Sequence, residues 1–146
     1  MRKALELPRI DETKVDAVSA LIAAISEKGP GNCGEELAAL SALTGKLHDE
    51  MEFLEYWSWT DLDALARMTL APEPPLVRDL TQEDLVELAA VIQHCLVAGP
   101  EYVAHYYLEL LRKSLALPGI RDYIVSAQTP EEAAADLLAA AGRLAE

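Results

Sequence analysis

Glu50-Met51-Glu52-Phe53-Leu54-Glu55-Tyr56-Trp57-Ser58-Trp59-Thr60-Asp61-Leu62-Asp63 is the segment on which the reading of this chain turns. It holds both tryptophans, the single phenylalanine and five carboxylates of a 146-residue sequence otherwise rich in alanine and leucine. A helix over residues 46–57, advancing about 100° per residue, would gather Leu47, Met51 and Leu54 on one stripe. Asp49, Glu52, Phe53 and Tyr56 would fall on the opposite side. The spacing therefore predicts an inward aliphatic stripe and an outward face of rings interleaved with acids. Large rings are an expensive choice for a face that meets only water, so the outward face is the candidate binding surface. Glu55, Trp57, Trp59, Asp61 and Asp63 extend it beyond the helix end. In the competing reading both indoles pack under a helix corner as core and the acids form an ordinary solvated face.

Helix signals continue in both directions. Upstream, Asp11 is a cap, after which Val15, Val18, Ile22 and Ile25 recur at helical spacing until Lys28-Gly29-Pro30-Gly31 stops the element. From Glu35 a Leu/Ala-rich run favours helix, and Gly45 marks either a bend in one helix or the gap between two. Downstream, Thr60 with Asp63 resembles a capping box for a helix carrying Leu62, Leu65 and Met68 inward. Ala71-Pro72-Glu73-Pro74-Pro75 cannot continue it, because proline lacks the amide donor and restricts its predecessor.

Thr81 and Asp84 cap the next helix, whose apolar face is Leu85, Leu88, Ile92 and Cys95 or Leu96, ending at Gly99. Pro100 suits the first turn of another, with Val103, Tyr107 and Leu110 inward beside Leu108, Leu111 and Leu115. Residues 120–125 fit either a helical turn or an extended segment. Thr129-Pro130-Glu131-Glu132 starts a last helix with Ala133, Leu137, Ala140 and Leu144 inward. No stretch has the alternation of a strand. The expected class is all-α: a single antiparallel bundle of six to seven helices over 1–146, one domain with a Pro-rich linker at 71–75 between two helical halves.

The 25 acidic residues outnumber the 12 basic ones, giving a formal charge of −13. That field repels nucleic acid and anionic membranes and attracts basic proteins, although acidity also serves plain solubility. No apolar run reaches the roughly 18 residues needed to span a bilayer. The N-terminal Met1-Arg2-Lys3-Ala4-Leu5-Glu6-Leu7-Pro8 lacks the apolar core and cleavage site of a secretory signal. Cys33 and Cys95 are too few for a disulfide framework, so the expected location is cytoplasmic.

Signals for chemistry are weak. His48, His94 and His105 make no His-x-x-x-His or Glu-x-x-His pair, and Cys-x-x-Cys is absent, so no metal site is expected. Neither Gly-x-Ser-x-Gly nor a glycine-rich phosphate cradle occurs, and no cofactor or catalytic residue is assigned.

Leu80-Thr81-Gln82-Glu83-Asp84-Leu85-Val86-Glu87-Leu88, then Leu117-Pro118-Gly119-Ile120-Arg121-Asp122-Tyr123-Ile124, then Thr129-Pro130-Glu131-Glu132, are similar in order and spacing to the small helical immunity proteins that neutralise nuclease-type colicins and pyocins. They also resemble the immunity proteins of polymorphic-toxin and contact-inhibition systems. The resemblance covers residues 80–144. Pro118, Asp122 and Ile124 match the turn that carries the shared binding site in the colicin group. Tyr123 replaces its leucine, and Val125 and Ser126 stand where its two tyrosines would be, so the shared hot spot is missing. The resemblance implies inhibition of a cognate bacterial toxin by an acidic helical surface, with Asp122 and Tyr123 joining the site.

The expected function is thus an immunity-type inhibitor, not an enzyme, that binds a basic protein through Asp49, Glu52, Phe53, Glu55, Tyr56, Trp57, Trp59, Asp61 and Asp63. The alternatives are a helical scaffold that self-associates through the same patch, or an enzyme with a polar helical cleft. Monomer and homodimer both fit the sequence.

Overall fold

A computed structural model of the chain describes residues 3–54 and 60–145. Among them are seven α-helices and no strand, so the protein is all-α. The chain divides into two compact units, Pro8–Pro72 and Glu73–Glu146 joined by Met1–Leu7, and the boundary falls inside the Pro-rich stretch.

In the Pro8–Pro72 unit, Asp11 accepts the Thr13 N–H at 3.0 Å and caps a 3-10 turn, Glu12–Lys14, that runs directly into α1, Val15–Lys28. Gly29 ends α1 at φ 77°, donating its N–H to Ile25 O. α2 spans Gly34–Thr44 and α3 spans Leu62–Leu70, and both pack on α1. The shared core comprises Val18, Ile22, Ile25, Cys33, Leu40, Phe53, Leu65 and Ala66, with Leu54, Leu62 and Met68 partly buried against it.

Two expectations are corrected here. The helix over residues 46–57 does not form in its described part. Gly45 adopts a left-handed conformation at φ 73°, and its N–H closes on Ser41 O, which ends α2. The chain then runs irregularly to a single 3-10 turn, Glu50–Glu52. Without a helix, the 100° step no longer couples the side chains. Leu47 and Met51, assigned to the core stripe, stand 96% and 74% exposed, while Phe53, assigned to the outward face, is 0% exposed. The second correction concerns the cap of α3. Asp61 fills it, accepting the Ala64 N–H at 2.7 Å, in place of Thr60.

In the other unit, α4, Gln82–Ala98, packs against α5, Glu101–Leu115, α6, Ile120–Ser126, and α7, Pro130–Ala145. Thr81 and Asp84 form a reciprocal capping box at 3.0 and 3.1 Å. Thr129 accepts the Glu132 N–H, and Glu132 reaches back to the Gln128 N–H. The segment left open by the sequence, 120–125, is helical: buried Ile120 and Ile124 lie one turn apart, and Gln93 Nε2 bonds the Ile124 and Ala127 carbonyls. The N-terminal residues belong to this unit because Leu5 is fully buried and its carbonyl accepts the Tyr107 hydroxyl at 2.7 Å.

Burial pushes the Tyr107 phenol up to about 12, and pushes Tyr106 up in the same direction. The folded phenols hold their protons more tightly than the unfolded ones, whose pKa is about 10. The Tyr107 contribution is therefore complete below about pH 10 and is lost as pH rises toward about 12, and the Tyr106 contribution has the same sign. In denaturant melts, Tyr107→Phe should cost about 1–2 kcal/mol at neutral pH, by stranding the Leu5 carbonyl, and should flatten the alkaline loss of stability.

Candidate partner-binding site

Residues 45–54 leave the helical scaffold but are tied to it along their length. The Lys46 N–H donates to Thr44 Oγ1 at 3.3 Å, and Lys46 Nζ donates to the Ala71 carbonyl at 2.7 Å. Asp49 Oδ1 accepts the Met51 N–H at 2.9 Å, and the Glu50 carboxylate accepts the Gly31 N–H at 3.1 and 3.3 Å. Phe53 is sunk in the core with its ring edge-on to His48, centroids 5.7 Å apart, and Ser26 Oγ donates to the Leu54 carbonyl at 3.0 Å. Anchors on α1, the turn after it, the end of α2 and the residue after α3 therefore fix this loop.

Held in this way, the loop turns Leu47 and Met51 to solvent. Beside them lies an open depression of about 610 Å³ lined by Leu37, Leu47, His48, Asp49 and Glu50. Isolated exposed apolar side chains are common, but a leucine and a methionine on one pinned loop beside a concave, partly acidic surface form a feature suited to contact.

The expected site residues are distributed unevenly around it. Asp49 lines the depression and Glu52 lies in the adjoining 3-10 turn. Phe53 supports the loop from within and is removed from the contact surface by its burial. Asp61 and Asp63 have internal duties. Asp61 caps α3, and Asp63 pairs with Arg67 at 2.9 Å, while the same guanidinium also holds Glu12 at 2.6 Å. The hydrogen bonds that Arg67 donates to Asp63 and then to Glu12 raise its pKa. Asp122, exposed, and Tyr123, half-buried, sit on α6 in the other compact unit. Glu55, Tyr56, Trp57 and Trp59 lie outside the described residues. Leu47, Met51, Leu37 and Glu50 were not among the expected contacts. Gly45 was the available signal, since a helix stop there removes the reason to place Leu47 and Met51 inward.

Groups with catalytic potential have structural explanations. Thr44 Oγ1 and His48 Nε2 stand 2.7 Å apart, the spacing of a nucleophile and its base. The Thr44 hydroxyl also lies within hydrogen-bond reach of the Leu40 carbonyl at 2.9 Å and accepts the Lys46 N–H at 3.3 Å, a helix-end role of the kind threonine commonly fills. Cys33, 1% exposed, directs its thiol at the Gly29 carbonyl. Burial pushes the Cys95 thiol up, away from the reactive thiolate. Among the described residues no three His, Cys, Asp or Glu side chains could jointly hold a metal ion, and no helix is long and apolar enough to cross a membrane.

The reversal of inside and outside in this loop has a measurable consequence. In urea melts Phe53→Ala should cost about 3–5 kcal/mol, whereas Leu47→Ser and Met51→Ser should each stay within about 0.5 kcal/mol of wild type. No protein-family model, no characterised protein and no solved structure matches this chain.

Proposed function

We propose that this chain is a cytoplasmic immunity-type inhibitor that binds a basic bacterial toxin domain stoichiometrically, without cofactor or turnover. The observation that carries the binding role is the pairing of exposed Leu47 and Met51 on a loop fixed by its own hydrogen bonds beside Asp49 and Glu50. Rigid presentation lowers the ordering cost of association, so two aliphatic anchors gain more on such a loop than on a floppy one. The formal charge of −13 favours a cationic partner and speeds its encounter. It also opposes the alternative, self-association through the same loop, because two copies bring like charge together. The toxin-specific part of the proposal draws on the resemblance over residues 80–144.

Mixing the protein with the basic product of a neighbouring gene should give a complex at micromolar concentration and suppress the partner's toxicity. Absence of any complex would overturn the proposal. Replacing Leu47 and Met51 together by Ser should weaken the complex by more than about 2 kcal/mol, and Tyr56→Ala and Trp59→Ala should do the same where those rings extend the contact. A salt-dependent homodimer, lost with the same Leu47 and Met51 changes, would favour the scaffold reading instead.

A further inference from the structure

We infer that the stretch Glu73–Arg78, held along α5 in the Glu73–Glu146 unit, is a preformed recognition edge for a partner protein whose groove is lined by aromatic rings. It is a different surface from the loop at 45–54 and does not depend on the toxin reading. Covalent stiffness sets its backbone first. Pro74 and Pro75 hold φ near about −65°, and Glu73 and Pro74, each preceding a proline, are steered out of the helical region. The result is a polyproline II ribbon, with about three residues per turn and no hydrogen bonds of its own. Residues three apart then share an edge, and burial follows that period. Half-buried Pro74 and buried Val77 make one edge, while Pro75 with Arg78 and Glu73 with Leu76 make two exposed ones.

The ribbon is gripped by its main chain. Lys113 Nζ donates to the Pro74 carbonyl at 2.9 Å, and Ser114 Oγ accepts the Val77 N–H at 3.0 Å. Lys113 also stands 3.7 Å from the Glu73 carboxylate. Both hydrogen bonds fall on the two residues of the inward edge, so the other two edges are turned away from α5. A spacer between helical units needs stiffness alone. Here Leu76 is in addition 50% exposed beside the exposed ring of Pro75. A proline and an aliphatic side chain on adjacent edges of such a ribbon fit the slots between aromatic rings, and the fixed backbone lowers the ordering cost of docking. Exposed Arg78, on the Pro75 edge, matches a carboxylate at one end of the groove and so sets the direction of docking. The charge of −13 disfavours nucleic acid or an anionic bilayer as the occupant.

Nitrogen-labelled full-length protein titrated with a panel of isolated WW-type and other polyproline-binding modules should give, with at least one of them, saturable amide shifts at Glu73, Leu76, Val77, Arg78 and the last turn of α5. Pro75→Ala and Leu76→Ser change exposed side chains, so each should leave the melting temperature in place while weakening that complex at least about tenfold. Arg78→Glu should weaken it several-fold and reduce its salt dependence. A synthetic peptide of residues 72–79 lacks the α5 anchor and should bind several-fold more weakly than the intact chain. Lys113→Met with Ser114→Ala should lower the affinity of the intact chain to that of the peptide. No module moving these amides at millimolar concentration, shifts centred elsewhere, or unchanged affinity in both Pro75→Ala and Leu76→Ser would each overturn the recognition edge and leave the stretch a spacer. A peptide that binds as tightly as the intact chain would overturn its preformation by α5.

Discussion

The burial of Phe53 is the constraint from which the proposed binding loop follows. It is the only phenylalanine in the chain, and it fills the core formed by α1, α2 and α3 with its ring against His48. A ring of that size contributes on the order of 2–3 kcal/mol by leaving water, more than any exposed contact along the loop supplies. Once Gly45 has ended α2, the chain between it and Phe53 must take a short, irregular path to deliver the ring inward. Leu47 and Met51 face solvent along that path. Their exposure is therefore a consequence of the fold's own packing, and the hydrogen bonds of Lys46, Asp49 and Glu50 make it a fixed one.

The acidic surplus is less freely available than the formal charge implies. Asp11, Asp61, Asp84 and Glu132 accept backbone N–H groups at helix starts, and Glu12, Glu36, Asp63 and Glu109 pair with arginine or lysine. The Lys28 hydrogen bond lowers the Glu36 pKa, and the Arg112 hydrogen bond lowers that of Glu109. Carboxylates at helix N-termini also complement the helix dipole. Counting acids thus overstates the number that a partner could engage. Asp49 and Glu50 likewise accept backbone N–H groups, from Met51 and Gly31.

The second compact unit shows how a remote segment completes a local core. Leu5, far from α5 in sequence, is buried with its carbonyl on the Tyr107 hydroxyl, so the Glu73–Glu146 helices take in the start of the chain. A buried phenol needs an acceptor, and the N-terminal backbone supplies it.

The sequence by itself determined the helices whose signals are local. Thr81 with Asp84, Thr129 with Glu132, Gly29 after α1 and the prolines at 72–75 act within a few residues, and the corresponding helix ends lie where that chemistry places them. The spacing of Val15, Val18, Ile22 and Ile25 likewise identified a buried face correctly, since a continuous helix ties direction to residue number. Which way Leu47, Met51 and Phe53 face was decided only by tertiary structure. Periodicity carries no information once the backbone stops being periodic, and Gly45 left two backbone paths open. The Phe53 site among α1, α2 and α3, assembled from residues distant in sequence, selected between them.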